Sequence, residues 1–503
     1  MNRPLVRRGR AMAMVLLMLP CLALLCAIGG CEGAQHPRRK PNILLIVVDT
    51  LRADRLGSYG NGRGLTPFLD RLAAGAAVFR NTYAASSWTR PSVASLLTSR
   101  YPSQHGVVNM TAKLGEQELT IAEVLAQVGY RTGAFVTNVV LAPQGGYSQG
   151  FQSFFDLTDP KPPYKARATS VRVQSLAWLD TVREENPTTP IFLYLHFMEP
   201  HWPYRPEQPY LDRFYKGDRD GSKPDVDVGE LTVSKKLDKA FTQFLVGNPE
   251  GFRGFNSEEV AVLESLYDAE VASLDHELEL LFDELERRDF LRDTIVVFTA
   301  DHGEEFLDHG SVWHGYTLYE ESIRVPLIVR LAGQRDGLMV DQAVSLLDVA
   351  PSLIELAGVP VPSVFEGRSF ARLLTRPTWL PAPIDAFLRS EHAGQEQIVA
   401  ELEPRADWMP NARVHADAII RQSMKLLTRP EGGLELYDLE TDPHELNKES
   451  EAEPDVGLQL LEALQNTKSA LATRADAAAE TFKLDEATRE RLKALGYGVD
   501  DGK

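Results

Sequence analysis

Four side chains of this sequence stand where chemistry on an oxyanion could be done. Asp49 closes the apolar run Ile43 to Val48, and Asp301 and His302 follow the run Thr294 to Thr299 after a single Ala. Thr89 stands just ahead of a helical run that Pro91 opens. Two carboxylates, an imidazole and a hydroxyl form an O/N donor set that suits one divalent cation. A Thr hydroxyl is a weak nucleophile at neutral pH. Metal coordination lowers its pKa, and a helix N-terminus stabilises charge on a transferring oxyanion. The set therefore suits in-line displacement at phosphorus or sulfur. Each member also has a plainer role: Thr89 as an N-cap, Asp49 as the cap of the next turn, Asp301-His302 as a strand-end turn. Their coincidence at strand ends favours a site.

Those strand ends need a sheet. The uninterrupted apolar run Ile43 to Val48 reads as a buried parallel strand, whose C-terminal end is where open α/β sheets place their ligands. Ala77 to Tyr83, Gly133 to Val136, Ile191 to Phe197, Thr294 to Thr299 and Val325 to Arg330 read as further strands. The run Ile191 to Phe197 leads into Met198-Glu199-Pro200-His201, which puts His201 at the same edge or, more plainly, on the surface. Helices are predicted from Pro67 to Ala74, from the capping box Thr120…Glu123 to near Gly129, from Asn256 to Arg288, and from Leu347-Asp348 to near Gly358. Val260, Leu263, Tyr267, Val271 and Leu274 give the third of these its apolar stripe. Strands alternating with helices predict an α/β fold, a mostly parallel central sheet sandwiched by helices. Residues 215–255 read as a surface insertion. The Pro-rich stretch Arg376 to Pro383 marks a boundary, after which Gln397–Leu402, Ala416–Arg421, Met424–Thr428 and Leu434–Leu439 predict a small antiparallel sheet and a helical tail from Asp455.

The 503 residues suffice for one large domain with a smaller companion, and 44% apolar with 25% charged residues is ordinary for a folded chain. Residues 1–30 carry four Arg and no acid, so removing them takes the formal charge from −18 to −22. Such a surface repels nucleic acid, and no basic stripe offsets it. Arg3, Arg7, Arg8 and Arg10 precede the apolar run Ala11 to Ile28, which Pro20 interrupts, as in an export signal. Ile28-Gly29-Gly30-Cys31 is similar to a bacterial lipobox, whose Cys takes lipid after cleavage. Cys21 and Cys26 leave with the signal, so the exported chain keeps one Cys and no disulfide. The expected organisation is a lipoprotein signal at 1–30, a tether at 31–41, a catalytic domain at 42–375 and a C-terminal β/α subdomain with helical tail at 376–503. The expected location is a membrane-anchored lipoprotein facing the periplasm or cell surface.

From Asn42 to about Leu464 the chain resembles the sulfatase family of the alkaline phosphatase superfamily. The resemblance rests on VVDTLRADRLGSYG, RPSVASLLTSRYPSQHG, GYRT, MEPHWPY, ADHGEEF, LYEESIRVPLIV, LLDVAPSLIELAGV and the C-terminal LELYDLETDPHEL. It implies an alkaline-phosphatase-like fold, with Asp49, Thr89, Asp301 and His302 on metal-ligand positions and Thr89 as nucleophile. It implies that His314 and Asn138 contact the transferring group and that His201 steadies or protonates the leaving oxygen.

The departures from the family pattern carry information of their own. The signature Cys (or Ser)-x-Pro-x-Arg, whose first residue becomes formylglycine, reads Thr89-Arg90-Pro91-Ser92-Val93 here. A Thr cannot become that aldehyde and offers no second, geminal hydroxyl to release the bound group. Thr50 replaces the family's second Asp, Val93 its Arg, Thr137 the Lys of its second signature and His314 a later Lys. The Thr nucleophile and the Asp-His-Gly-Glu…His-Gly spacing resemble the superfamily's phosphodiesterases and phosphoethanolamine transferases. Losing fixed cations disfavours a phosphate monoester dianion most, and a monoanionic phosphodiester or sulfate ester tolerates it better; of these two the phosphodiester leads. The expected cofactor is one divalent ion, Zn²⁺ or Mn²⁺ ahead of Ca²⁺, with a second ion on His314 and His201 or His309 as an extension. The expected partner is a small-molecule, glycan or lipid ester. The competing expectation is a catalytically inactive lipoprotein kept for binding. Cys31→Ser should move the protein from the membrane to the soluble exported fraction; if it stays on the membrane, the anchor lies elsewhere.

Overall fold

In the computed structural model the described residues are 40–158, 167–215, 257–375, 397–402, 415–430, 432–449, 453–474 and 480–494. The signal, Cys31, nearly all of the 215–255 insertion and the Arg376 to Pro383 boundary lie outside them. In chain order the strands are β1 Asn42–Val48, β2 Ala77–Phe79, β3 Thr82–Tyr83, β4 Arg131–Val136, β5 Ser153–Asp156, β6 Ile191–Phe197, β7 Thr294–Ala300 and β8 Glu305–Phe306. There follow β9 Val312–Trp313, β10 Leu327–Arg330, β11 Leu338–Val340, β12 Val344–Ser345, β13 Ile398–Glu401, β14 Asp417–Arg421, β15 Met424–Thr428 and β16 Leu434–Asp438.

Eight of them form the central sheet, in the order β11-β2-β10-β7-β1-β6-β4-β5. β1 runs parallel to both β6 and β7, and every one of its residues is buried. A strand covered on both faces has no use for alternation, which is why it reads NILLIVV. β4 and β5 continue the parallel set, whereas β10 is antiparallel to both β7 and β2. The sheet is thus mostly parallel with one reversed strand. Its register positions the site: Val48 stands opposite both Phe197 and Ala300. The residues that follow, Asp49, Met198 and Asp301, therefore leave the sheet side by side. The Asp49 and Asp301 amides still donate to Phe197 O at 2.9 Å and Val48 O at 3.3 Å.

The helix opened by the Thr89 segment runs Thr89–Thr98, with extended Trp88 as its N-cap. Thr89 is thus inside the first turn rather than ahead of it. All ten residues of this helix are buried, so it has no face on solvent, and its polar side chains bond within the protein. The Thr120–Glu123 capping box is present and opens Ile121–Gln127. The expected strand Ala77 to Tyr83 is broken: β2 joins the main sheet, and β3 pairs instead with β12. Ser257–Arg287 is one unbroken helix. Among the described residues, no helix is long and apolar enough to cross a membrane.

The C-terminal strands form an antiparallel sheet in the order β13-β14-β15-β16, covered by the helix Pro454–Ala472. Leu460, Leu464 and Leu471 of that helix pack with Val399, Ile419, Leu426 and Leu436, and the same cluster takes in Ala85, Tyr101 and Leu347. Fully buried Lys425 on β15 lies 2.9 Å from Glu320 Oε1 and 2.9 Å from Glu445 Oε1. Farther along, residues 480–494 cross the Asn109–Lys113 loop, where Phe482 N–H donates to Thr111 O at 2.9 Å and its ring lies 5.4 Å from the Arg90 guanidinium. Lys425 is the cation between two buried carboxylates. Lys425→Met should therefore destabilise the protein by about 3–5 kcal/mol in chemical denaturation, and Glu320→Gln with Glu445→Gln should recover much of that loss.

Candidate active site

Asp301 is held by backbone that the sheet register brings together. Its Oδ1 accepts the amides of His302 at 2.9 Å and Thr50 at 3.2 Å. Thr50 has φ of 57°, an unusual conformation for a β-branched residue, and its carbonyl accepts from Tyr267 OH at 2.7 Å. With Oδ1 engaged, Asp301 Oδ2 faces His302 Nε2 at 3.6 Å and His196 Nε2 at 3.9 Å, both too long for a hydrogen bond. Burial opposes ionisation of Asp301, but the His302 and His196 imidazoles and the Thr50 amide outweigh it and keep its pKa below the usual carboxylate value.

Asp49 Oδ1 stands 3.7 Å from the same His302 nitrogen, while its Oδ2 accepts from Asn138 Nδ2 at 2.5 Å. His302 Nδ1 lies 2.9 Å from Gly303 O. A carbonyl only accepts, so Nδ1 carries the proton and Nε2 presents its lone pair. Burial, set against the Asp301 charge, lowers the His302 pKa to about 4, so the ring is neutral at pH 7. The Thr89 hydroxyl is 3.2 Å from that Nε2. Asp49, Thr89, Asp301 and His302 all have zero exposure.

The donor set fits a divalent cation. One ligand atom each from Asp49, Asp301 and His302 lie within 4.8 Å of one another. Two carboxylates with no exposure and a neutral imidazole carry a charge that burial makes costly and that a dication neutralises. The Thr89 hydroxyl borders this group at the His302 nitrogen.

Two more histidines flank this group. The His314 ring is 4.5 Å from that of His302 and 5.1 Å from that of His201. His314 Nδ1 is held by Glu304 Oε1 at 2.9 Å, and His201 Nδ1 by the Trp202 carbonyl. His309 is committed elsewhere, to Glu321 Oε1 at 2.6 Å and to the stacked ring of Tyr319, so it is not available to a second ion with His314. Asn138 serves Asp49 in this structure, where the sequence predicts a contact to the transferring group. His196 and Glu304 are side chains of this group to which the sequence assigns no role. The signal for His196 is a lone imidazole in the penultimate place of the otherwise apolar IFLYLHF strand. Neighbouring cations are spent: Arg52 binds Asp54 and Asp308, and Arg90 donates to the carbonyls of Asn109, Ala112 and Val140.

Comparison with known proteins gives this geometry a setting. The model of the sulfatase family matches residues 41–359. An ulvan-active sulfatase of Formosa agariphila is 25% identical over 437 residues, covering 82% of this chain and 78% of that protein. A solved structure in complex with its substrate D-glucosamine-2-N,6-O-disulfate superposes with a TM-score of 0.68 at 20% identity, covering 86% of this chain and 98% of its own. The phosphonate monoester hydrolase of Agrobacterium radiobacter superposes with a TM-score of 0.64 at 19% identity, covering 86% and 96%. At these identities the two structures attest the fold.

Asp301→Asn keeps an oxygen for the two amides and removes the charge. After dialysis, elemental analysis should find about one equivalent of divalent metal in the wild type and at least tenfold less in the variant. Equal metal in both would remove Asp301 from the ligand set.

Proposed function

The chain belongs to the sulfatase family and is an ester hydrolase, and we propose that it cleaves sulfate or phosphate esters with Thr89 as nucleophile and a phosphodiester as preferred substrate. The observation that carries this reading is the Thr89 hydroxyl, 3.2 Å from the bare His302 Nε2 and in the first turn of a buried helix. Asp49, Asp301, His302 and Thr89 would hold one divalent ion, Zn²⁺ or Mn²⁺ ahead of Ca²⁺, because an imidazole takes part and Thr50 removes a carboxylate. Bound there, such an ion supplies Lewis acidity and charge neutralisation beside the Thr89 hydroxyl.

The steps fall to the chain's own residues. Thr89 gives its hydroxyl proton to solvent and Oγ bonds to phosphorus (or sulfur) as the bond to the ester oxygen breaks, and protonated His201 gives that departing oxygen a proton. The first-turn amides and His314 receive the transferring group's oxygens. A water or alcohol then attacks the bound group from outside, breaking its bond to Oγ and returning the hydroxyl. A second attack is needed because Thr has no geminal hydroxyl with which to eject the group. Val93, Thr137 and His314 stand where the family has fixed cations, which favours a singly charged diester over a monoester dianion. The substrate class is a small-molecule, glycan or lipid ester. Glycan receives support from two similar proteins, one named as an ulvan-active sulfatase and one solved in complex with its substrate D-glucosamine-2-N,6-O-disulfate. The enzyme works outside the cytoplasm on a lipid-modified Cys31.

Bis(4-nitrophenyl) phosphate, 4-nitrophenyl phosphate and 4-nitrophenyl sulfate offered side by side should rank in favour of the diester. Thr89→Ala should lower kcat on the best of them by roughly 10³-fold or more while keeping most of the metal. Thr89→Ser should retain measurable turnover. Near-wild-type rates for Thr89→Ala on every ester would sink the nucleophile assignment.

A further inference from the structure

Glu304 has no exposure, and its carboxylate meets two loops at once. Oε1 lies 2.9 Å from His314 Nδ1, and Oε2 accepts from the Tyr204 hydroxyl at 3.3 Å. Tyr204 belongs to the same MEPHWPY segment as His201. The backbone beneath this carboxylate is fixed from both sides. Gly303 and Glu304 donate their amides to Ser322 O at 2.8 Å and Glu321 O at 3.0 Å, and Glu304 O accepts from Arg52 Nη1 at 3.1 Å. Gly303 is required for that approach, since a Cβ there would lie 1.9 Å from Glu321 O.

We propose that Glu304 is a positioning residue for His314: it binds Nδ1–H, and so makes Nε2 the one ring nitrogen that His314 presents to the transferring group. A carboxylate only accepts, so the Nδ1 position has to carry the proton. Histidines that act at a reacting centre commonly owe their orientation and tautomer to such an acceptor on the far nitrogen. His201 is held through a backbone carbonyl of its own loop, which fixes its ring equally but comes with no charge. The division of labour follows: the Tyr204 hydroxyl steadies the Glu304 carboxylate, and that carboxylate aims His314 from behind. This deepens the role given to His314 in the proposed function and rests on that reading.

The test is a double-mutant cycle on the full-length, metal-loaded protein, using whichever 4-nitrophenyl ester the wild type turns over fastest. Glu304→Ala should lower kcat by about 10–100-fold, the usual loss when the partner behind an active-site imidazole is removed. Metal content should stay at the wild-type level, because Asp49, Asp301, His302 and Thr89 are untouched. In a His314→Ala background the same change should lower kcat by less than about threefold, since a residue acting through another adds nothing once that residue is gone. Glu304→Gln, which keeps an acceptor oxygen in the same place, should recover most of the Glu304→Ala loss and guards against a variant that fails to fold. Losses that multiply in the double variant would overturn the proposal, as would loss of metal in Glu304→Gln or full activity in His314→Ala. Failure of the broader reading shows separately, as turnover by Thr89→Ala.

Discussion

Two carboxylates without solvent, at the ends of neighbouring parallel strands, set the terms for everything around them. β1 and β7 are in register at Val48 and Ala300, so Asp49 and Asp301 must emerge together. Burying one ionised carboxylate is costly and burying two side by side is more so. The surroundings respond with donors: the Thr50 and His302 amides for Asp301, and the Asn138 amide for Asp49. Thr50 takes a left-handed backbone to bring its N–H to bear, a strain of about 1–3 kcal/mol for a non-glycine residue. What the donors leave unbalanced is charge, and that is what a dication matches.

Much of the fold was legible because the decisive strands are long and mostly apolar. β1, β6 and β7 each run seven residues with every one buried, a pattern that no surface element imitates. The Thr120–Glu123 box announced its helix because the chemistry of the cap is local. The antiparallel sheet was legible from four runs and a Gly-Gly turn. β8, β9 and β12 were not, being two residues long, and β5 and β11 have no full period to show. The break between β2 and β3 was hidden for another reason. The two halves pair with different partners, and pairing is a property of distant sequence.

At the site, sequence located the residues better than their relationships. Asp49, Asp301, His302 and Thr89 do converge, and the strand-end rule explains why they could be named. That Asn138 donates to Asp49 is visible only in the folded chain, where the β4 end reaches that carboxylate. Glu304 was visible inside ADHGEEF, yet nothing local distinguishes it from Glu305 beside it. Their contacts do: Glu304 faces His314 and Tyr204, while Glu305 accepts from Thr317 and Ser322. Both are fully buried, so burial does not separate them, and only the folded chain shows which of the two meets the histidines.

The stacking of Phe482 on Arg90 bears on the order in which this molecule comes into being. Arg90 adjoins Thr89, and Phe482 follows it in the chain only after nearly the whole of both sheets. Contacts across that much sequence close late, since the entropy of the intervening loop must be met before they stabilise anything. A chain made from its N-terminus holds Asp49 and Thr89 long before Asp301 exists, and it gains the residues that cross the Thr89 flank later still. Partly made chains thus contain Thr89 without its setting. The segment around Phe482 closes over the Thr89 flank after the strands that carry Asp49 and Asp301 have been made.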